Sequence, residues 1–273
     1  MRLAIIGMGT VGRAMQALFE GHAELVTYDK GHGAPYPVEE LSECDFAMVC
    51  VDTPAAADGS CDTSNVEQAI AELPCDRILL RSTVPPGTTN RLARQTGKKI
   101  CFAPEYIGEG TYLTTSWGAS AADIPFFIIG GPPDDRRWLL DRLVGVLGPE
   151  RVYYQCSSVE SEVIKYMENS FLATKVAFVN EFARICEVMG ADWHTVREGW
   201  LLDPRIGRSH SAVFPDRPGF DGKCLPKDLA AIVAEASASG YQAGLLQAVL
   251  DANDRHRASP GAPGPAIRVV EAG

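Results

Sequence analysis

Residues 7–12 read Gly-Met-Gly-Thr-Val-Gly, and their flanks give that turn its meaning. The apolar run RLAII at 2–6 precedes it. An Ala/Leu-rich helical stretch, about 11–20, follows, and ELVTY at 24–28 reads as a second strand ending at Asp29. Strand, glycine turn, helix, strand and acid within this span form the pattern of a dinucleotide-binding βαβ unit. Gly7 permits the tight turn. Gly9 lets backbone approach a pyrophosphate. Gly12 lets the helix pack on the strand. Thr10 and Val11 open the helix whose N-terminus supplies donors for phosphate. Asp29 is placed to accept hydrogen bonds from ribose hydroxyls, which favours NAD over NADP; Lys30 beside it pulls the other way.

Further strands are expected at 46–51, 77–81, 99–102 and 125–129, with helices such as 64–73 between them. Alternating strand and helix implies a doubly wound parallel sheet, a Rossmann-type α/β fold. Ligands of such sheets bind beyond the carboxyl ends of the strands. The residues to inspect there are Asp52-Thr53-Pro54, the stretch Ser82 to Gly87, and Ala103-Pro104-Glu105. Glu105 and Glu109 read either as pocket acids or as surface charge.

From Ser157 the pattern changes. Ser157 and Glu160 fit a capping box. Apolar residues then recur at near-helical spacing from Val159 to Met189, and Gly190 is a C-cap. Such a helix would be about 50 Å long, too long to cover one sheet. It reads as a spine leading into a smaller all-helical domain, with more helix at 192–200 and 227–256. The expected division is 1–154, 155–257 and a flexible Pro/Gly/Ala-rich tail, 258–273.

Composition excludes several classes. A net charge of −10 argues against binding along a nucleic-acid backbone. No stretch approaches the ~20 apolar residues of a membrane span, and the N-terminus does not read as a signal peptide. The eight cysteines form no CxxC, and no His pair has zinc spacing. Neither a metal site nor a disulfide framework is expected, and the reading is cytoplasmic.

The stretch Gly219-Phe220-Asp221-Gly222-Lys223-Cys224-Leu225-Pro226-Lys227-Asp228 places a cysteine in a Gly/Pro loop between two lysines. Adjacent cations favour a thiolate. Cys224 reads equally as an activated nucleophile or as a buried structural cysteine. Lys165 and Asn169, at i and i+4, share a helix face. That face is either solvated or functional. His210 reads as an exposed loop histidine or a ligand contact.

These pieces together resemble the UDP-glucose/GDP-mannose dehydrogenase family. The matching motifs are GMGTVG at 7–12, TP at 53–54 with DGSCD at 58–62, STVPPGT at 82–88 and APEYIGEG at 103–110. KYMENSFLATKVAFVNE at 165–181, DPRIG at 203–207 and GFDGKCLPKD at 219–228 follow in family order. The resemblance implies NAD-dependent oxidation of the primary alcohol of a nucleotide sugar, or a smaller nucleoside or sugar-phosphate relative, to a carboxylate in two hydride transfers. It implies Cys224 as nucleophile, through a thiohemiacetal and a thioester. Lys165 and Asn169 would stabilise the oxyanion. Asp228 and Thr83 would hold a basic water, and Glu105 would assist hydrolysis. Val11, Asp29, Thr53, Thr83, Glu109 and Lys227 would line the NAD site. Glu105, Lys165, Asn169, Gly219, Phe220 and Gly222 would contact substrate, with Arg205 reaching it across a homodimer interface.

Two other classes fit parts of the pattern. A two-electron β-hydroxyacid dehydrogenase shares the Lys-x-x-x-Asn pair, and a non-catalytic NAD-binding module needs only the first half. The chain also departs from the family. GFDGKC replaces a GFGGSC-like loop, and Asp52 and Gly108 stand where proline and arginine are usual. The stretch 208–218 does not read as the usual substrate loop. The residues after Asp228 suffice for a helix or two, not for the family's third, nucleotide-closing domain, so that part of the pocket is expected to be absent or supplied by a second subunit.

Overall fold

The structure, a computed structural model, describes residues 1–107 and 120–258. By internal contacts these fall into two units, 1–107 with 120–167, and 168–258. The division lies inside a helix, whereas the boundary expected at 154/155 lies within the last strand of the first unit. The expected tail lies, beyond Ala258, outside the described residues.

The first unit is built on one sheet. Its strands are β1 (Arg2–Ile6), β2 (Glu24–Tyr28), β3 (Phe46–Val49), β4 (Arg77–Leu80), β5 (Lys99–Phe102), β6 (Phe126–Gly130) and β7 (Val152–Cys156). Their order is β2-β1-β3-β4-β5-β6-β7, so the sheet winds both ways from β1. The helices are α1 (Thr10–Phe19), α2 (Val38–Ser42), α3 (Ser64–Glu72), α4 (Thr88–Thr96), α5 (Pro133–Leu147) and the start of α6 (Ser158–Met189). Alternate residues face opposite sides of a strand. Leu3, Ile5, Phe46 and Met48 therefore join Met15 and Phe19 of α1 and Leu139 and Leu143 of α5 in one core. Ala4, Ile6, Ala47 and Val49 join Val66 and Ile70 of α3 and Leu92 of α4 in another. Strands buried on both faces need continuous apolar runs, which explains why RLAII and FAMV do not alternate.

The structure adds one strand and corrects one expectation. β7 (VYYQC) was not foreseen, because it carries polar and half-exposed residues at the sheet edge. The sheet is also not wholly parallel: β6 pairs antiparallel with β5 at Phe102↔Gly130, and β7 runs parallel to β6. Parallel neighbours need a crossover, usually a helix. Among the described residues between β5 and β6 there is only the short turn Ala121–Asp123.

The spine helix matches its sequence signals closely. At its start Glu160 Oε2 accepts from the Ser157 N–H (2.7 Å), and Ser157 Oγ accepts from the Glu160 N–H (3.3 Å). At its end Gly190 has φ +71, and the Ala191 N–H closes onto the Cys186 carbonyl at 2.9 Å. The second unit continues with α7 (Trp193–Trp200), α8 (Leu225–Ala238) and α9 (Gly244–Arg257). The stretch 227–256 is thus two helices, parted at Gly240 with φ +85. Ala173, Val176 and Ala177 of α6, Leu229 of α8, and Val249 and Ala252 of α9 close around Phe220 to form this unit's core. No helix among the described residues is long and apolar enough to cross a membrane.

Candidate active site

In the first unit the glycine turn has the shape its spacing suggests. Gly7 has φ +91, and a Cβ there would meet the Cys50 carbonyl at 2.8 Å. A Cβ on Gly12 would run into the Gly7 carbonyl oxygen, while one on Gly9 would meet nothing within 4 Å. Gly9 is the N-cap of α1 and offers no side chain to the first-turn N–H groups. The start of α1 therefore keeps donors for a ligand anion.

Asp29 ends β2. Its carboxylate accepts from the Met8 N–H (2.6 Å) and the Gly31 N–H (2.8 Å). These bonds hold the carboxyl below the usual aspartate range, against some desolvation. Lys30 is exposed, and its Nζ donates to Gln68 Oε1 (3.1 Å). The two loops that follow β3 and β4 are laced together. Thr53 Oγ1 donates to the Thr83 carbonyl (2.8 Å), and Ser82 Oγ donates to the Val51 carbonyl (2.6 Å).

Glu105, at the end of β5, is buried, which removes its surface-charge alternative. It pairs with Arg81 and accepts from the Tyr106 and Ile107 N–H groups (2.7 and 2.8 Å). Glu109 lies outside the described residues. Lys165 is only 9% exposed, so its stretch of α6 is not a solvated face; its ammonium lies 4.9 Å from the Tyr106 ring centroid.

The second unit carries the cysteine loop. Cys224 is exposed and forms the N-cap of α8, the other seven cysteines being buried or half-buried. The alternative of a buried structural thiol is therefore corrected: the residue opens a helix whose N-terminal N–H groups favour negative charge beside the sulfur. One turn on, Asp228 is 1% exposed; its Oδ2 accepts from Asn169 Nδ2 (2.6 Å) and its Oδ1 from Lys227 Nζ (2.5 Å). Asn169 is itself 5% exposed. Lys227, expected at the cofactor, is paired with Asp228 here.

Gly219 and Gly222 take φ +80 and +84, the left-handed region glycine tolerates. Phe220 is completely buried in the apolar core of this unit, so its side chain is not presented to a ligand. Arg205 is highly exposed and bidentate to Asp203 (3.0 and 2.6 Å). His210 is not the exposed loop histidine of the first alternative. It is half-buried with φ +57, its Nδ1 is 2.6 Å from Ser209 Oγ, and burial beside Lys175 pushes its pKa down to about 4.

Sequence reasoning missed three polar residues. Arg81 partners Glu105. Glu162, fully buried on α6, accepts from the Gly87 N–H (2.6 Å) and the Thr89 N–H (2.8 Å), anchoring the start of α4. Asn253 binds the Phe220 backbone. Arg81 had a local signal, a charge directly after the apolar run Ile78-Leu79-Leu80, whereas Glu162 and Asn253 sit among polar residues and had none. Among the described residues no group of three His, Cys, Asp or Glu is placed to hold a metal ion.

A doubly wound sheet whose first glycine turn opens an uncapped helix defines the Rossmann-type dinucleotide-binding class. Two family models match the chain: the UDP-glucose/GDP-mannose dehydrogenase NAD-binding domain over residues 36–133, and the central domain of the same family over 159–255. The chain belongs to the UDP-glucose/GDP-mannose dehydrogenase family. It is 32% identical to UDP-glucose 6-dehydrogenase of Haloferax volcanii, covering 93% of this chain and 70% of that one. It is 32% identical to UDP-glucose 6-dehydrogenase of Rickettsia bellii, covering 79% of this chain and 50% of that one. Among solved structures, a UDP-glucose dehydrogenase from Pyrobaculum islandicum superposes with a TM-score of 0.80 at 27% identity, over 93% of this chain and 68% of that chain. The chain thus spans between 50% and 70% of the length of these relatives.

Proposed function

We propose that this protein oxidises the primary alcohol of a nucleotide sugar to a carboxylate, with NAD as the electron acceptor. The observation that carries this reading is Cys224, exposed at the head of α8 one turn before the buried, Asn169-bonded Asp228. Two oxidations at one carbon pass through an aldehyde that must not escape. A thiol that adds to it retains it.

The residues fit NAD. The open turn at Gly9 and the uncapped start of α1 suit its pyrophosphate, and the Asp29 carboxylate suits its adenosine ribose. Thr53 and Thr83 stand on the loops after β3 and β4, where such a cofactor lies. When bound, NAD supplies a hydride acceptor. The remaining roles fall to the chain. The Cys224 sulfur would form a C–S bond to the aldehyde carbon, giving a thiohemiacetal; loss of the second hydride to NAD would leave a thioester, and water would cleave that to the carboxylate and the free thiol. Lys165 and Asn169 would stabilise negative charge on the reacting oxygen. Asp228 would hold the water that takes up the proton, and Glu105 would assist hydrolysis. Gly219, Gly222 and Arg205 would meet substrate.

We also propose a homodimer. On α6 the side chains of Phe171, Phe178, Phe182, Ile185 and Val188 are exposed at helical spacing, a patch of the kind that marks association. Light scattering of the purified chain tests it, a mass of 29.4 kDa excluding the dimer.

Incubation with NAD and a panel of nucleotide sugars, nucleosides and sugar phosphates tests the activity. The reading requires two NADH per acid formed, and no acid from Cys224→Ala. One NADH per turnover with a carbonyl product, or acid formed by Cys224→Ala at the parent rate, would refute it.

A further inference from the structure

The loop from Gly219 to Cys224 belongs to no strand or helix, and two of its glycines have left-handed backbone. Such a segment is loose unless something outside it fixes the chain. Helix α9 supplies that fixation. Asn253 is 4% exposed, and it gives both ends of its amide to one residue of the loop. Its Oδ1 accepts from the Phe220 N–H at 2.7 Å, and its Nδ2 donates to the Phe220 carbonyl at 3.1 Å. The amide thus pairs with Phe220 as a neighbouring strand would, while the phenyl ring is locked in the core beneath.

Two further contacts support the grip. Asn180 of α6, 3% exposed, accepts from the Gly219 N–H at 3.0 Å, and its own amide donates to the Val176 carbonyl at 2.8 Å. One turn along α9 from Asn253, Arg257 faces the Asp221 carboxylate at 3.4 Å. The fit at Gly219 is tight: a Cβ there would meet Asn253 Oδ1 at 2.5 Å.

We propose that Asn253 is a positioning residue for the nucleophile, holding the backbone four residues before Cys224. This rests on Cys224 acting as proposed above. Misplacing a reacting group by about 1 Å can cost ~100-fold in rate. Removing the amide also leaves the buried Phe220 N–H and carbonyl without these partners.

The test uses the full chain and the variants Asn253→Ala and Asn253→Ser. The serine hydroxyl is too short to reach both Phe220 groups. Three quantities are read: kcat for acid formation, the KM for NAD, and the iodoacetamide alkylation rate of Cys224 (followed by mass spectrometry). Expected are at least a tenfold loss of kcat, a KM for NAD within twofold of the parent, and at least a threefold change in alkylation rate. A folded variant with parental kcat and alkylation rate overturns the proposal. Hydrogen exchange of the Phe220 amide in the unmodified protein needs no variant. Protection comparable with α9 supports the clamp, and exchange as fast as an exposed loop overturns it. If the parent forms no acid from any nucleotide sugar, the functional reading fails, while alkylation and exchange still decide whether Asn253 holds the loop.

Discussion

Asn169 donates to Asp228 across 2.6 Å, joining α6 to α8 directly beneath the turn that begins with Cys224. Both side chains are buried, so each serves as the other's substitute for water. Asp228 also accepts from the Lys227 ammonium, so its carboxylate bridges an amide of α6 and a cation of α8.

Asp228→Asn keeps the shape and removes the charge. Acid formation is expected to fall at least 100-fold, with the melting temperature changed by only a few degrees. Asp228→Ala leaves the Asn169 amide without this acceptor and should cost about 2–4 kcal/mol, below the usual loss for a broken buried pair because Lys227 keeps some access to water. Steady-state kinetics beside urea unfolding separates the two effects. Equal loss of stability in both variants would refute the distinction.

Arg81 and Glu105 form an ion pair with both side chains buried. Arg81→Met should destabilise by about 3–5 kcal/mol, because the carboxylate keeps only its backbone donors. Adding Glu105→Gln should restore part of that loss, since no uncompensated charge is then buried. A double-mutant cycle by chemical denaturation measures the coupling, and strictly additive effects would show that the pair contributes nothing.

Glu162 accepts from the N–H of Gly87, the N-cap of α4, and from the first-turn N–H of Thr89, immediately after the loop that carries Thr83. Glu162→Ala strips that cap and should cost about 1–2 kcal/mol. The effect should extend to cofactor, with a several-fold rise in the dissociation constant for NAD. Calorimetric titration of NAD checks this, and unchanged affinity would confine Glu162 to stability.

His210 is neutral in the fold, its pKa pushed down from 6.5 to about 4 by burial beside Lys175. Between those values the unfolded chain takes up a proton that the folded one does not. Its contribution to stability is therefore fully present above pH 6.5 and is lost as the pH falls from 6.5 to about 4. His210→Asn tolerates the φ of +57 and removes the titration. The variant's melting temperature should depend less on pH across that window, the parent losing stability relative to the variant as the pH falls. Parallel pH profiles would exclude the role.

Much of the fold is legible locally. The glycine turn, the strands RLAII and FAMV, the capping box at Ser157 and the stop at Gly190 each depend on neighbours within a few residues, and each appears where the spacing places it. Edge strand β7 escapes because a half-exposed strand lacks an apolar signature. The reversed direction of β6 escapes because pairing direction is decided by how the chain returns to the sheet, not by the strand's own residues.

The candidate site divides in the same way. The sequence alone determined which residue types occur and at what spacing: Cys224 one turn before Asp228, Lys165 one turn before Asn169, Asp29 at the end of a strand. Only tertiary structure decided which of them are buried and what they touch. Lys165 could have lain on a solvated face, and Glu105 could have been surface charge, until other elements covered them. Arg81, Glu162 and Asn253 acquire their roles from partners 24, 73 and 33 residues away. Burial and the hydrogen bonds it enforces come from packing between distant segments, and local spacing carries no record of that packing.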